Sequence, residues 1–106
     1  MRPVNQIINT VTSGPWIPLD ITQNPFNAAV GCRVLAASTY QVDYTYDDPF
    51  DTVTAPTVFG QLTNIPVGST ANKDQQLVAP VRAVRLTVTV ASGAGVKMTV
   101  LQGLGL

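Results

Sequence analysis

The sequence predicts an all-β protein: a single antiparallel β-sandwich, jelly-roll-like, that spans residues 1–106 as one domain. Apolar and polar residues alternate with a period of two along several stretches, and no stretch shows the helical period. Pro- and Gly-rich turns separate roughly six to eight such stretches at fairly regular spacing, which is typical of a sandwich. At 106 residues the chain is long enough to bury one core without disulfides or metals.

The first third of the chain contains three candidate strands. Residues 3–12, PVNQIINTVT, are rich in β-branched residues and predict the first strand. The next segment holds Trp16 between two prolines, which predicts an edge strand or an extended crossing because proline cannot donate to a central ladder. Residues 22–31, TQNPFNAAVG, have the composition of a loop, and residues 32–38, CRVLAAS, are predicted to be a strand.

A row of aromatic residues marks the middle of the chain. In residues 39–48, TYQVDYTYDD, one face of the predicted strand carries Tyr40, Val42, Tyr44 and Tyr46. Turn residues follow at 47–56, and residues 57–62, TVFGQL, predict a short strand. Residues 63–76, TNIPVGSTANKDQQ, are interpreted as a polar loop.

Residues 81–103, VRAVRLTVTVASGAGVKMTVLQG, predict a C-terminal β-hairpin. Gly93 and Gly95 lie in the turn and can adopt the positive φ that tight hairpins require. One face is apolar, and because burial within a lone hairpin does not offset the entropy of ordering it, a second sheet must cover that face; its members are Val84, Leu86, Val88, Val90, Val96, Met98 and Val100. The opposite face is a threonine ladder with Arg85 and Lys97, either solvated or in contact with a neighbouring subunit.

Composition excludes several classes of function. Charged residues make up 11% of the chain and the formal net charge is zero, so copies repel each other weakly and association is favoured. Nucleic-acid binding is not expected, because the cations are scattered along the sequence at Arg2, Arg33, Lys73, Arg82, Arg85 and Lys97. No apolar stretch approaches the length of a membrane span, and the first residues contain no secretory signal.

The residue types needed for catalysis are scarce. The chain has no His and no Glu, so we expect no enzyme, no catalytic residue and no cofactor. Cys32 lies in an apolar run and is interpreted as a buried structural thiol of a protein folded in a reducing cytoplasm. The one cluster of carboxylates, which offers Ca²⁺ ligands or simply turn residues, lacks the spacing of a calcium loop, and we predict no metal site; it comprises Asp43, Asp47, Asp48 and Asp51.

The aromatic residues leave three interpretations open. Tyr40, Tyr44, Tyr46 and Trp16 suit the core of a sandwich. They suit an interface equally, with each hydroxyl reaching a partner. They are also the residues on which the apolar faces of sugars stack, so a carbohydrate-binding platform is the third interpretation.

Residues 80–103, and more weakly PWIPLD at residues 15–20, resemble small virion structural proteins of tailed bacteriophages. The resemblance implies a non-enzymatic capsid cement or decoration protein, a β-sandwich that binds the major capsid protein as a dimer or trimer within a virion assembled in the host cytoplasm. It transfers no site residue. We predict contacts through the terminal segments and two cations, namely Arg2, Val4, Ile7, Arg82, Arg85, Leu104 and Leu106. The alternatives are a tail or neck protein, or a carbohydrate- or receptor-binding module of a tail appendage.

Overall fold

The computed structural model describes residues 4–22 and 26–102 and contains nine β-strands. The described residues form no helix long and apolar enough to cross a membrane. The strands, in chain order, are β1 (Val4–Ile8), β2 (Thr12–Ser13), β3 (Ile17–Pro18), β4 (Ala28–Val34), β5 (Thr39–Thr45), β6 (Gly60–Gln61), β7 (Lys73–Leu77), β8 (Ala83–Val90) and β9 (Val96–Gln102).

The strands form two antiparallel sheets that pack face to face, which confirms the predicted all-β sandwich. The first sheet has the order β1-β9-β4-β7. The second has the order β2-β8-β5-β6, with β3 also paired to β8. The two sheets enclose one core, in which Val30, Met98 and Val100 of the first sheet face Val42 and Leu86 of the second.

The topology is that of a jelly roll. Because β2 and β3 both pair with β8, they act as two halves of one edge strand, which leaves eight strands in all. The first strand in the chain then pairs with the last, and the remaining strands pair successively inward from the two ends of the chain. The pairs are β1 with β9, β2 and β3 with β8, β4 with β7, and β5 with β6. An antiparallel ribbon paired in this way rolls up into two sheets, and the β4–β9 ladder completes the first sheet while the β5–β8 ladder completes the second.

The predicted C-terminal hairpin is wrong. β8 pairs with β2, β3 and β5, whereas β9 pairs with β1 and β4, so the two consecutive strands belong to opposite sheets. The turn at residues 91–95 has the expected positive-φ glycines, with φ 54° at Gly93 and 77° at Gly95, but it arches across the core. Alternation identifies the buried face of a strand, and both apolar faces are indeed buried; it does not identify the partner strand.

One consequence of the arch is that the predicted outer face is divided. Arg85 projects from the outer face of the second sheet and Lys97 from that of the first. Val90, predicted in the core, is 55% exposed, because a register shift between Thr39 and Tyr40 changes the phase at that end of β8.

Strand boundaries differ from the prediction where side chains are polar. Residues 73–76, predicted as part of a loop, form the edge strand β7 together with Leu77, and this strand pairs with β4. β4 begins at Ala28, inside the segment predicted as a loop, and β6 keeps only two residues of the predicted TVFGQL strand. The proline-bracketed segment is an edge strand as predicted, with Ile17 opposite Val84.

Two buried glutamines join the sheets. Gln6 of β1 donates from Nε2 to the Pro15 carbonyl at 2.9 Å, and its Oε1 accepts from the Leu86 amide of β8 at 3.0 Å. Gln102 of β9 pairs with the backbone of Asp20 in the same two-bond manner, both at 2.8 Å. Each side chain therefore satisfies a donor and an acceptor that the interrupted edge strand leaves free.

Candidate functional site

A long loop between β5 and β6, residues 46–59, is held in shape at its base by side-chain hydrogen bonds. We call it the acidic loop. Asp47 accepts from both the amide and the hydroxyl of Thr57 at 3.0 Å, and the buried Thr45 hydroxyl donates to the Thr57 carbonyl at 2.8 Å. These bonds close the base of the loop against the sheet, so the loop has one defined conformation although it contains no strand.

The tip of the acidic loop is ordered by its own carboxylates. Asp48 accepts from the Phe50 amide at 2.9 Å and forms an ion pair with Arg82 at 3.0 Å. Asp51 accepts from the Val53 amide at 2.8 Å and the Thr54 amide at 3.2 Å. The loop thereby presents two apolar side chains to solvent, Phe50 at 72% and Val53 at 92% exposure.

The predicted carboxylate cluster is thus divided between two places. Asp47, Asp48 and Asp51 lie in the acidic loop, and their oxygens accept hydrogen bonds from backbone amides of the same loop. Asp43 lies apart from them on the outer face of the second sheet. Within residues 4–22 and 26–102, no three such side chains gather around a common point as metal ligands do.

A shallow cavity of about 480 Å³ opens on the outer face of the first sheet. We call it the cation cavity, because Arg33 of β4, Lys73 of β7 and Lys97 of β9 all line it. The lining of the cavity also includes Asp74, Thr99 and Gly31. Gly31 leaves its floor as bare backbone, and nothing lies within 4 Å of the position that a Cβ would take.

The charges of the cation cavity are uncompensated. Arg33 and Lys97 are direct cross-strand partners in the β4–β9 ladder, an arrangement that destabilises a sheet when the charges are alike. The two ion pairs formed among the described residues use Arg82 and Arg85, so none of the three cavity cations has a described carboxylate within 4.0 Å. Lys73 lies opposite the core-facing Cys32 in the β4–β7 ladder, so of the three cations only Arg33 and Lys97 project from the outer face, and with Asp74 that face carries a net charge of +1.

A second polar cluster is centred on Asp43, which is only 2% exposed although it lies on the outer face of its sheet. One carboxylate oxygen accepts from the Gln41 and Gln61 amides at 2.8 and 3.1 Å. The other accepts from Arg85 at 3.1 Å and from the Thr87 hydroxyl at 2.6 Å. The Arg85 guanidinium also lies over the Trp16 ring, 4.5 Å from its centre.

These contacts fix the charge state of Asp43. Burial alone would raise the pKa of this carboxyl, but the hydrogen bonds from Thr87, Gln41, Gln61 and Arg85 together hold the pKa below its usual value. All the bonds come from side chains of the same chain. The cluster therefore anchors the edge segment with Trp16 to the sheet, and its carboxylate is fully occupied.

The aromatic residues do not form a single platform. Tyr40 is fully buried and its hydroxyl donates to the Ala71 carbonyl, whereas Trp16 lies on the outer face beneath Arg85. Tyr44 and Tyr46 form a cluster with Phe59 at the end of β5, with ring centres 4.7 to 5.7 Å apart. A groove of about 240 Å³ adjoins the two tyrosines and is also lined by glutamines of β6 and β7.

Cys32 faces the core of the first sheet, in the buried position that the sequence predicts. Burial raises the pKa of its thiol to about 12. The thiolate form is therefore negligible at neutral pH, and Cys32 acts as a small apolar core residue.

The predicted contact residues lie in three places. Val4 and Ile7 are on the edge strand β1, where Ile7 is 57% exposed and Val4 packs partly against the core. Arg82 and Arg85 are half-buried and engaged in the ion pairs described above. The remaining three, Arg2, Leu104 and Leu106, lie outside the described residues.

Sequence reasoning missed both the cation cavity and the two glutamine bridges. The cations are far apart in sequence, and only the β7–β4–β9 pairing brings Lys73, Arg33 and Lys97 together. The glutamines did leave a signal, because Gln6 and Gln102 occupy the apolar phase of their strands.

No family model, no curated protein and no solved structure matches this chain.

Proposed function

We propose that this protein is a non-enzymatic virion structural protein, a capsid cement or decoration protein that binds the major capsid protein. The observation that carries the proposal is the convergence of both terminal strands on one sheet edge. Edge strand β1 pairs with β9, and Val4 lies opposite Val100. The first and last described strands, which lead to the terminal segments that we predict to contact a partner, therefore lie side by side.

That edge has the properties of a contact surface. Among residues 4–22 and 26–102, β1 is the outermost strand of its sheet, so one side of it carries backbone groups that no described strand pairs with and that another chain can pair with. Ile7 and Leu101 are the exposed large apolar residues of β1 and β9. An unpaired edge flanked by exposed apolar side chains suits docking onto a larger assembly.

The titratable side chains support a structural role rather than catalysis. Asp43 is saturated by hydrogen bonds, the carboxylates of the acidic loop order their own loop, and Cys32 is buried with a raised pKa. Each of these groups has a role in holding the fold. The resemblance of residues 80–103 to phage virion proteins points to the same class.

Co-sedimentation with shells of the major capsid protein from the same virus tests the proposal. The wild-type protein should bind, and Ile7→Glu should bind at least about tenfold more weakly because it places a charge on the contact edge. Val67→Glu is the matched control, since Val67 is similarly exposed at 65% but lies in the loop between β6 and β7. A wild-type protein that binds neither immature nor expanded shells would contradict the proposal.

A second candidate function is carbohydrate recognition in the groove beside Tyr44 and Tyr46. An aromatic wall next to glutamine amides offers both the stacking surface and the hydrogen bonds that sugars use. Titration of oligosaccharides followed by NMR should then shift the Gln75 and Gln76 amide signals, and Tyr46→Ala should abolish the shifts. Unchanged spectra across a broad set of oligosaccharides would eliminate this function.

A further inference from the structure

The cation cavity is built as a binding site for an acidic group. Arg33 and Lys97 project from the outer face there as direct cross-strand partners, and neither has a described carboxylate within 4.0 Å. Like charges in this position reduce the stability of the isolated protein. An anionic partner would remove that repulsion, so binding and relief of an unfavourable contact occur together.

The acidic loop has the opposite charge. Asp47, Asp48 and Asp51 contribute three negative charges, and the ion pair with Arg82 reduces the total to −2. The net charge of the loop is therefore opposite in sign to that of the cation cavity. The formal neutrality of the chain thus conceals two surfaces of opposite sign.

The two surfaces also fit in shape. Phe50 projects from the loop tip between Asp48 and Asp51, and it is 72% exposed. The cation cavity is wide enough for an aromatic side chain, and Gly31 leaves the floor open. A phenyl ring placed there would lie beside the guanidinium of Arg33 and the ammonium of Lys97, and a cation positioned over the face of a ring interacts favourably with it.

One chain cannot join its own two surfaces. The acidic loop follows Thr45, which lies opposite Ala83 at the first residue of β8. The cation cavity lies near the other end of β8, beyond the turn at 91–95, where Lys97 is the second residue of β9. The loop also follows a strand of the second sheet, whereas the cavity is on the outer face of the first.

We propose that the acidic loop of one copy of this chain docks in the cation cavity of a second copy. Phe50 enters over Gly31, and Asp51 faces Arg33 and Lys97, while Asp48 keeps its ion pair with Arg82. The contact is head-to-tail, a geometry that closes into a ring when the rotation between copies permits. This inference deepens the proposed function and rests on it, because the resemblance to virion proteins implies a dimer or trimer, and it names the two surfaces through which copies would associate.

The test is the oligomeric state of the purified protein, measured by sedimentation equilibrium without any capsid protein present. The wild-type protein should self-associate at low salt and dissociate as NaCl is raised, because exposed charge pairs are screened. Phe50→Ser should weaken association by more than about tenfold, as expected for an aromatic anchor. Val67→Ser, a similarly exposed apolar residue elsewhere, should leave it unchanged.

A double-mutant cycle identifies the two surfaces as partners. Lys97→Gln and Asp51→Asn each remove one charge, and Asn retains the oxygen that caps the loop; each should weaken association about two- to fivefold. The combined variant should be no weaker than the stronger single variant, because both act on one contact. Val67→Glu changes the net charge by the same amount as Lys97→Gln and serves as the control.

A readout of folding separates loss of contact from loss of structure. Lys97→Gln should raise the midpoint of thermal unfolding slightly at protein concentrations where the wild type is monomeric, because it removes the repulsion with Arg33. Additive losses in the cycle would overturn the proposal. So would a wild-type protein that remains monomeric at low salt, including one whose cation cavity binds inorganic phosphate instead. Either result leaves the capsid co-sedimentation test unaffected.

Discussion

The Gln6 side chain takes the place of a ladder partner for Leu86 in the sheet opposite its own. Its Oε1 accepts the Leu86 amide at 3.0 Å, while its Nε2 donates to the Pro15 carbonyl at 2.9 Å. The edge strand is interrupted between β2 and β3, and Gly14 leaves space for the glutamine, since a Cβ there would overlap the Gln6 amide. One polar side chain thereby allows a broken edge strand to be buried.

Gln6→Ala should destabilise the protein by about 2–4 kcal/mol, because it leaves a buried donor and acceptor without partners. Urea unfolding followed by tryptophan fluorescence measures the change. Asn5→Ala is the matched control: Asn5 is the adjacent residue on the same strand, and its hydrogen bond to Thr99 is exposed. A loss for Gln6→Ala no larger than that for Asn5→Ala would show that the bridge does not stabilise the fold.

Asp43 should make the protein sensitive to acid. Its pKa lies below the usual 3.8 in the folded state, so the stabilisation is fully present above that value and is lost as the pH falls through the folded pKa. Asp43→Asn should cost about 2–4 kcal/mol at neutral pH, because Arg85 loses its charged partner. The difference between the two proteins should shrink below pH 4, measured as the free energy of unfolding against pH. Parallel curves would refute this role of Asp43.

Substitution by alanine should change the stability of the protein in opposite directions at Gly95 and Gly31. Gly95 has φ 77°, and a Cβ there would overlap the Ile8 carbonyl oxygen, so Gly95→Ala should prevent stable folding or cost several kcal/mol. Gly31→Ala meets nothing within 4 Å and lies in a strand, so it should stabilise by about 0.5 kcal/mol. Thermal unfolding of both variants checks the pair, and an equal loss in the two would contradict this account of the turn.

The Cys32 thiol should be unreactive in the native protein. Its burial and its pKa of about 12 both suppress the thiolate that attacks disulfide reagents. Ellman's reagent should therefore modify Cys32 only after unfolding, and completely in concentrated guanidinium. Rapid modification without denaturant would mean that the first sheet opens locally.

The sequence was sufficient for the fold class and for the faces of the long strands. Val84, Leu86 and Met98 are buried as alternation requires. Alternation could not assign β8 and β9 to different sheets, because a glycine-containing turn serves a hairpin and an arch equally. β7 was missed since an edge strand of sequence KDQQL has almost no apolar signal.

The candidate surfaces were less predictable than the fold. Asp47, Asp48 and Asp51 were recognised as turn residues, which their bonds to the acidic loop confirm. The cation cavity depends on cross-strand pairing between residues 33, 73 and 97, and nothing in their sequence spacing indicates it. The stacking of Arg85 on Trp16 depends likewise on the position of an edge segment.

The pairing of β1 with β9 also determines when the chain can acquire its structure during synthesis. Val4 has its ladder partner at Val100, so β1 stays without its neighbour until β9 has also been synthesised. Loops of that span close slowly, because their ends seldom meet. We therefore expect the chain to remain protease-sensitive until β9 has emerged from the ribosome, and to become resistant in a single late step.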